Sequence, residues 1–352
     1  MDNEQKTHKR RVRYKGTHPT KFHEKYKEHN PDKYKDDIEK IIKKGNTPAG
    51  MHISICVQEI IDFLEIKPGQ IGLDATLGYG GHTSKMLEQL QGTGHVYGLD
   101  IDPIEIEKTK ARLLEKGFDE TIFSAIHTNF KNIDHVAREY GPFDFILADL
   151  GVSSMQIDDP SRGFSFKRES PLDLRLNPNQ GIPASERLTQ MTYNELRDIL
   201  ESYSDEPYAS PIAKAIMKNI NQGNTIDTTT KLKVIIEEII ENDKAVPFKQ
   251  REITIKKTCQ RTFQALRMDV NNEYDVLYDF LEKLPEALKS GGRVAILTFH
   301  SGEDRLVKKA FKELKNLGIY SDVTRDVIRP SKEECFQNPR ATSTKMRWAI
   351  KA

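Results

Sequence analysis

Several patterns are scarce or missing in this chain, and each absence removes a class of protein. Its three cysteines, Cys56, Cys259 and Cys335, stand far apart with no C-x-x-C pair. That spacing argues against a structural zinc site or a disulfide framework and fits a reducing compartment. No apolar stretch approaches about 20 residues, so no membrane span is expected. The N-terminal region is basic but lacks the apolar core of a secretory signal, which points to the cytoplasm. An excess of one charge is lacking too. The 54 Lys and Arg against 53 Asp and Glu leave a formal net charge of +1, so any basic surface must be local. What is there is a globular composition, 37% hydrophobic and 30% charged over 352 residues. That length accommodates one large core with an insertion, or two domains.

The stretch that organises the rest is Leu73-Asp-Ala-Thr-Leu-Gly-Tyr-Gly-Gly-His-Thr83. An apolar strand, Ile71 to Leu73, breaks into a glycine-rich turn and re-enters as a helix from Ser84 to Leu90, as in the nucleotide-binding half of a doubly wound α/β fold. The strand His95-Val-Tyr-Gly-Leu-Asp-Ile101 then ends in Asp100, where such folds place a carboxylate on ribose hydroxyls. A later strand, Phe143-Asp-Phe-Ile-Leu-Ala-Asp149, ends in another acid. The loop reads G-Y-G-G-H, without the third glycine of the dinucleotide fingerprint and without a Gly-Lys-Ser/Thr phosphate cradle. A ligand here need not carry phosphate, and S-adenosylmethionine fits: adenosine on Asp100, the amino-acid part on the glycine loop. The bland alternative is a tight turn that binds nothing.

Along the chain, residues 1–50 carry Lys9-Arg10-Arg11, Arg13 and interleaved tyrosines but few aliphatics. A largely flexible extension is expected, with a short helix from Asp36 to Lys44. It is either a solvated tail or an RNA-contacting arm. An α/β core is expected over 51–156, with a helix from Ile53 to Leu64, another from Pro103 to about Lys116, and a strand from Thr121 to His127. Residues 157–259 contain no convincing strand. Helical periodicity over 186–191, 193–203, 211–221 and 231–242 makes this a helical insertion, with Thr192, Asp227 and Thr228 to Thr230 as candidate caps. The α/β pattern resumes over 260–352. It has a long helix from Thr262 to Ala287, a buried strand from Gly291 to His300, a helix from Asp304 to Leu317 and a last strand from Lys345 to Ile350.

Chemistry concentrates after Asp149. Asp149-Leu-Gly-Val-Ser-Ser-Met-Gln156 supplies small residues that let a substrate approach. Asp158-Asp-Pro-Ser-Arg-Gly-Phe-Ser-Phe166 and Pro171-Leu-Asp-Leu-Arg175 are unusually dense in Asp, Arg, Gly and Phe for a plain connection. Phe164 and Phe166 are candidates for stacking on a base or for core packing. Ser301 after His300 is not in a hydrolase elbow; Glu303, Asp304 and Arg305 read as a helix-start cluster of ion pairs. The basic run Lys256, Lys257, Arg261 and Arg267 is a solvated face or, beside a cleft, a phosphate contact.

Taken together, these residues resemble the bacterial 16S rRNA cytosine-N4 methyltransferases of the RsmH (MraW) type from about His52 to Arg347. The carriers are Thr76-Leu-Gly-Tyr-Gly-Gly-His82, Asp100-Ile-Asp-Pro103, Asp149-Leu-Gly-Val-Ser-Ser154, Gln156, Asp158-Asp-Pro160, Arg162-Gly-Phe-Ser-Phe166, Pro171-Leu-Asp-Leu-Arg175, Arg261-Thr-Phe-Gln-Ala-Leu-Arg267 and Asn338-Pro-Arg340. The resemblance implies a class I methyltransferase core, Rossmann-like with a mainly parallel sheet, and an inserted helical domain that recognises substrate. It implies S-adenosylmethionine contacts at Gly80, Gly81, His82, Asp100, Phe130, Asp149 and Gln156. The substrate would be a decoding-region cytidine of 16S rRNA, free or within the small ribosomal subunit, and the enzyme a monomer or homodimer without a metal. Asp149, Ser153 and Ser154 are the candidate catalytic groups; Arg162, Phe164, Phe166, Arg175, Arg261, Arg267 and Arg305 are candidates for RNA. The chain departs from the family at Gly302, at Lys257-Thr-Cys-Gln260, at Pro207 and Pro211, and in its basic extension, all away from the cofactor loop. A different target nucleotide, a nicotinamide-dependent dehydrogenase and a non-catalytic RNA-binding assembly factor are the rival expectations.

Overall fold

The structure, a computed structural model, describes residues 54–352. The expected basic extension and its helix from Asp36 to Lys44 lie outside the described residues. Helix α1 (Val57–Leu64) leads into β1 (Ile71–Asp74), the glycine loop and α2 (Gly81–Leu90). Then follow β2 (His95–Asp100), α3 (Pro103–Glu115), β3 (Phe123–His127), α4 (Ile133–Tyr140) and β4 (Phe143–Asp149). Strands β1 and β4 are apolar runs without polar alternation, as expected of strands covered on both faces of a parallel sheet.

Beyond β4 the chain is helical: α5 (Ser154–Asp158), α6 (Ala184–Gln190), α7 (Tyr193–Ser204), α8 (Ala209–Asn221), α9 (Thr229–Asn242) and α10 (Phe248–Val270). It returns through α11 (Glu273–Ala287), β5 (Leu288–Thr298), α12 (Ser301–Asn316), β6 (Tyr320–Val323), α13 (Lys332–Gln337) and β7 (Lys345–Lys351). The seven strands lie in the order β3-β2-β1-β4-β5-β7-β6. Strands β1 to β5 run parallel, and β7 is antiparallel to both β5 and β6. This is the sheet of a class I methyltransferase. The strand order reverses at β1, which pairs with β2 on one side and β4 on the other. A crevice therefore opens at the carboxyl ends of β1 and β4, the place where open α/β sheets bind ligands.

Three apolar cores hold the fold. Ile60, Leu64, Met86, Leu87, Ile106 and Leu113, from α1, α2 and α3, pack on one face of the sheet. Ile133, Val136, Phe280, Leu284, Val307 and Phe311, from α4, α11 and α12, cover the other. The third core belongs to the helices between β4 and β5, with Leu188, Leu196, Leu200, Ile212, Ile216, Leu232, Ile236 and Phe263 buried among themselves. Thr192 opens α7 with a reciprocal capping box to Glu195, worth about 1 kcal/mol. Thr228 caps α9, accepting from the Lys231 amide, while Asp227 instead pairs with Lys231 at 2.7 Å.

The expected single helix from Thr262 to Ala287 is two helices. Asn272 adopts a left-handed conformation (φ 50°) as the N-cap of α11, which an asparagine tolerates better than most residues. The Asn271 side chain accepts from the Leu176 amide and donates to the Leu174 and Arg267 carbonyls. The break is thus also a joint that ties the segment after Arg162 to the end of α10. Helix α10 is continuous through residues 259 and 260, so the expected boundary there falls inside a helix. Helices α4, α5 and α13 and strand β6 add to the expected elements. No helix among the described residues is long and apolar enough to cross a membrane.

Candidate functional site

The site starts at the end of β1. Asp74 is buried; its carboxylate accepts from the Thr83 hydroxyl at 2.6 Å and the Thr76 amide at 3.1 Å. Burial pushes its carboxyl above the ordinary range, against the pull of these donors and of His82. In turn the Thr76 hydroxyl accepts from the Asp149 amide at 2.6 Å. One acid thereby fixes the loop, the first turn of α2 and the end of β4. Sequence reasoning did not single out Asp74, although an acid closing an apolar strand was the available signal.

Within the loop, Gly78 sits at φ +47°, a Cβ there would meet only the Thr76 carbonyl at 3.8 Å, and its amide donates to Asp100 at 2.7 Å. The other Asp100 oxygen accepts from the Asp102 amide at 2.8 Å. Burial raises the Asp100 carboxyl to about 7, with those two amides opposing and the nearby Asp102 and Glu105 adding to the rise. Gly80 is needed for a different reason: a Cβ there would lie 2.7 Å from the Thr109 side chain, so it is close packing on α3 that requires glycine. Gly81 begins α2.

At the end of β4 lies the unusual carboxylate. Asp149 Oδ1 is buried with no hydrogen-bond partner among the described residues, and Oδ2 lies 3.6 Å from His82 Nδ1. The His82 Nε2 approaches the Ile55 carbonyl at 2.9 Å. A carbonyl only accepts, so Nε2 carries a proton, and Nδ1 meets Asp149 favourably only if one of the two holds another. Burial raises the Asp149 carboxyl to about 6; His82 opposes this, and Asp74 and Glu303 add to it. Glu303 is itself buried at the start of α12. Burial pushes its carboxyl up, but the His300 ring, the Phe299 amide and Arg267 outweigh that and hold it below the ordinary range. Asp304, by contrast, pairs with Arg347 at 2.7 Å and Lys345 at 3.6 Å and serves the sheet.

The remaining candidates separate clearly. Ser153 caps α5 by accepting from the Gln156 amide, and Gln156 Oε1 accepts from the Ser153 amide in return. Ser154 is the first residue of α5. Gln156 Nε2 donates to Asp102, which also receives Arg162 at 2.6 Å. Arg162 further donates to the Arg175 and Leu176 carbonyls. Buried and bonded to three partners, it is a strut between the turn after β2 and the helical segment. Arg175 is likewise turned onto Asp173 and the Gly181 carbonyl, and Arg267 grips Glu273 with two bonds of 2.7 and 2.8 Å. Arg261 is partly buried beside Glu206, whereas Arg305 is exposed. Phe164 and Phe166 pack on the helical core, Phe166 at 5.5 Å from Phe263. Phe130 follows β3 and packs edge-on against Phe280 at 5.2 Å.

A second cluster brings ligand atoms of Cys56, Glu59 and Glu334 within 4.8 Å of one another. Burial, with Glu59 and Glu334 adding, pushes the Cys56 thiol far up, which keeps it protonated and a poor metal ligand.

Comparison with known proteins gives the family. The family model described as the MraW methylase family matches residues 49–352. The Ribosomal RNA small subunit methyltransferase H 1 of Lachnoclostridium phytofermentans is 65% identical over 351 residues, covering 100% of this chain and 95% of its own. The protein of the same name from Agathobacter rectalis is 65% identical over 349 residues, covering 99% of each. A more distant relative, Ribosomal RNA small subunit methyltransferase H of Pseudoalteromonas atlantica, is 38% identical over 87% of this chain and 99% of its own. With a matched span that contains the glycine loop, the acidic strand ends and the helical segment alike, the chain belongs to the MraW methylase family.

Proposed function

We propose that the protein methylates the exocyclic N4 amine of a decoding-region cytidine in 16S rRNA, in the cytoplasm, with S-adenosylmethionine as methyl donor. The observation that carries this reading is the partnerless Asp149 oxygen at the switch-point crevice, beside a loop and a carboxylate suited to a nucleoside. The donor supplies an electrophilic methyl group on a sulfonium. Asp100 retains lone pairs for ribose hydroxyls, and no side chain lies within 4 Å of the point where a Cβ on Gly78 would sit. A cytosine amine is a weak nucleophile because its lone pair is conjugated with the ring, so the protein must place it in line and accept its proton. Asp149 Oδ1 is suited to that acceptance, and His82 stabilises the negative charge that Asp149 must carry beforehand. Glu303, held ionised, acts from behind by raising the basicity of Asp149. Ser153 keeps a hydroxyl proton to donate, since its oxygen is used only as an acceptor within α5.

Asp149→Asn preserves shape and removes the base. In an assay of tritiated methyl incorporation into small ribosomal subunits from cells lacking this protein, it is expected to lower turnover at least ~100-fold, while calorimetry still registers donor binding. Full incorporation by Asp149→Asn would exclude the acceptor role. No incorporation by the unaltered protein would favour a non-catalytic assembly factor.

A further inference from the structure

Where the helical segment rejoins the sheet, Tyr274 in the first turn of α11 reaches across to the start of α12. A Cβ placed on Gly302 would lie 1.7 Å from the Tyr274 hydroxyl oxygen and 2.9 Å from its Cζ. No side chain fits between them, so Tyr274 in this position demands glycine at 302. The ring is wedged edge-on against Tyr203 of α7 (centroids 5.2 Å, 83°) and tilted on His300 (6.1 Å, 51°). It joins the helical segment to the residue that caps α12, one turn from Glu303. Despite this seating, the Tyr274 hydroxyl makes no hydrogen bond among the described residues, and the side chain is only partly buried. Burial, with Glu303 adding, raises its pKa to about 12, which makes it a donor at any working pH.

Resting on the cytidine reading above, we propose that the Tyr274 hydroxyl, seated over Gly302, donates a hydrogen bond to the ring edge of the target base. The chemistry calls for such a group. Around Asp149 the site is acidic: its Oδ1 is the acceptor without a partner, which suits an amine, and Asp74 and Glu303 add negative charge beside it. A cytosine's pairing edge presents two acceptors, N3 and O2, directly beside that amine, and a flipped base is recognised along this edge. A neutral donor therefore completes the match where another carboxylate would repel. Tyr274 brings one to the start of α12, within electrostatic reach of Glu303, and Gly302 admits it there.

The test is steady-state methylation of small ribosomal subunits from cells lacking the protein, with donor affinity and thermal midpoint measured on the same variants. Tyr274→Phe keeps the ring and its contacts with Tyr203 and His300. It is expected to lower kcat/KM for subunits about tenfold, the loss of one hydrogen bond, with donor affinity and midpoint unchanged. Gly302→Ala alone should cost as much, because its methyl displaces the hydroxyl. Added to Tyr274→Leu, in which the colliding atoms are gone, it should cost nothing further. Unaltered kcat/KM in Tyr274→Phe overturns the proposal while leaving the function standing. So does a loss that appears equally in donor affinity or midpoint. An unaltered protein that methylates no subunit overturns both.

Discussion

His82 Nδ1 and Asp149 Oδ2 lie 3.6 Å apart, and with Asp149 as the proton acceptor proposed above, the pH dependence of turnover is expected to report its carboxyl. Asp149 must be ionised to accept a proton, and its carboxyl is raised to about 6 by burial. Turnover is therefore expected to fall as pH drops through about 6. In His82→Ala, which removes the opposing influence, the midpoint of the pH–rate profile should move upward; an unchanged profile would remove His82 from the account. Stability runs the other way. A carboxyl whose pKa is raised on folding is held more tightly protonated in the folded state, so its contribution is present below about 4 and is lost as pH rises through about 6. Asp149→Asn should accordingly melt at a higher temperature than the unaltered protein at pH 8, and no higher at pH 4. Asp100, raised to about 7, makes a separate forecast. Ribose hydroxyls favour its ionised form, so calorimetric donor affinity should weaken as pH falls below about 7.

Among the elements, the joint between sheet and helical segment is built from polar groups rather than from the apolar cores on either side. Arg162 and Asp102 form a buried ion pair at 2.6 Å, with Gln156 and two helix-start amides completing the Asp102 shell. Arg162→Ala leaves a buried carboxylate without its cation and is expected to cost about 3 kcal/mol in chemical denaturation. If Arg162 were instead an RNA contact, the loss would appear in KM for subunits with stability intact. Asn271 makes the second tie, between α10 and the Leu174–Leu176 backbone. Asn271→Ala strips partners from the Leu176 amide and the Leu174 carbonyl and should destabilise by about 1 to 3 kcal/mol.

At the scale of the whole molecule, the sheet and the crevice were legible because apolar runs ending in Asp100 and Asp149 are rare and their order fixes a parallel sheet. Helices α6 to α9 were legible from periodicity, since each turns an apolar stripe inward. Local rules failed where partners are distant. Nothing near Arg162 in the chain reveals that Asp102 awaits it sixty residues earlier, so a cation in an RNA enzyme read as an RNA ligand. Phe166 gave no local sign of Phe263. The break at Asn271 and Asn272 was signalled by two adjacent asparagines, whose left-handed tolerance is weighed too lightly when apolar periodicity continues across them. Asp74 was passed over because a buried acid looks like part of a turn until its partners are known. Gly302 was visible as an oddity, but its cause, Tyr274, lies on another helix.

Methyl transfer at the Asp149 crevice to N4 of a 16S rRNA cytidine, as proposed, leaves its record in the rRNA itself. Mass mapping of small-subunit rRNA from cells lacking this protein, complemented with the unaltered gene or with Asp149→Asn, tests it most directly. The expected result is a decoding-region cytidine that gains an N4 methyl only with the unaltered protein. The same modification pattern in all three samples, or a methyl restored at another base, would contradict it.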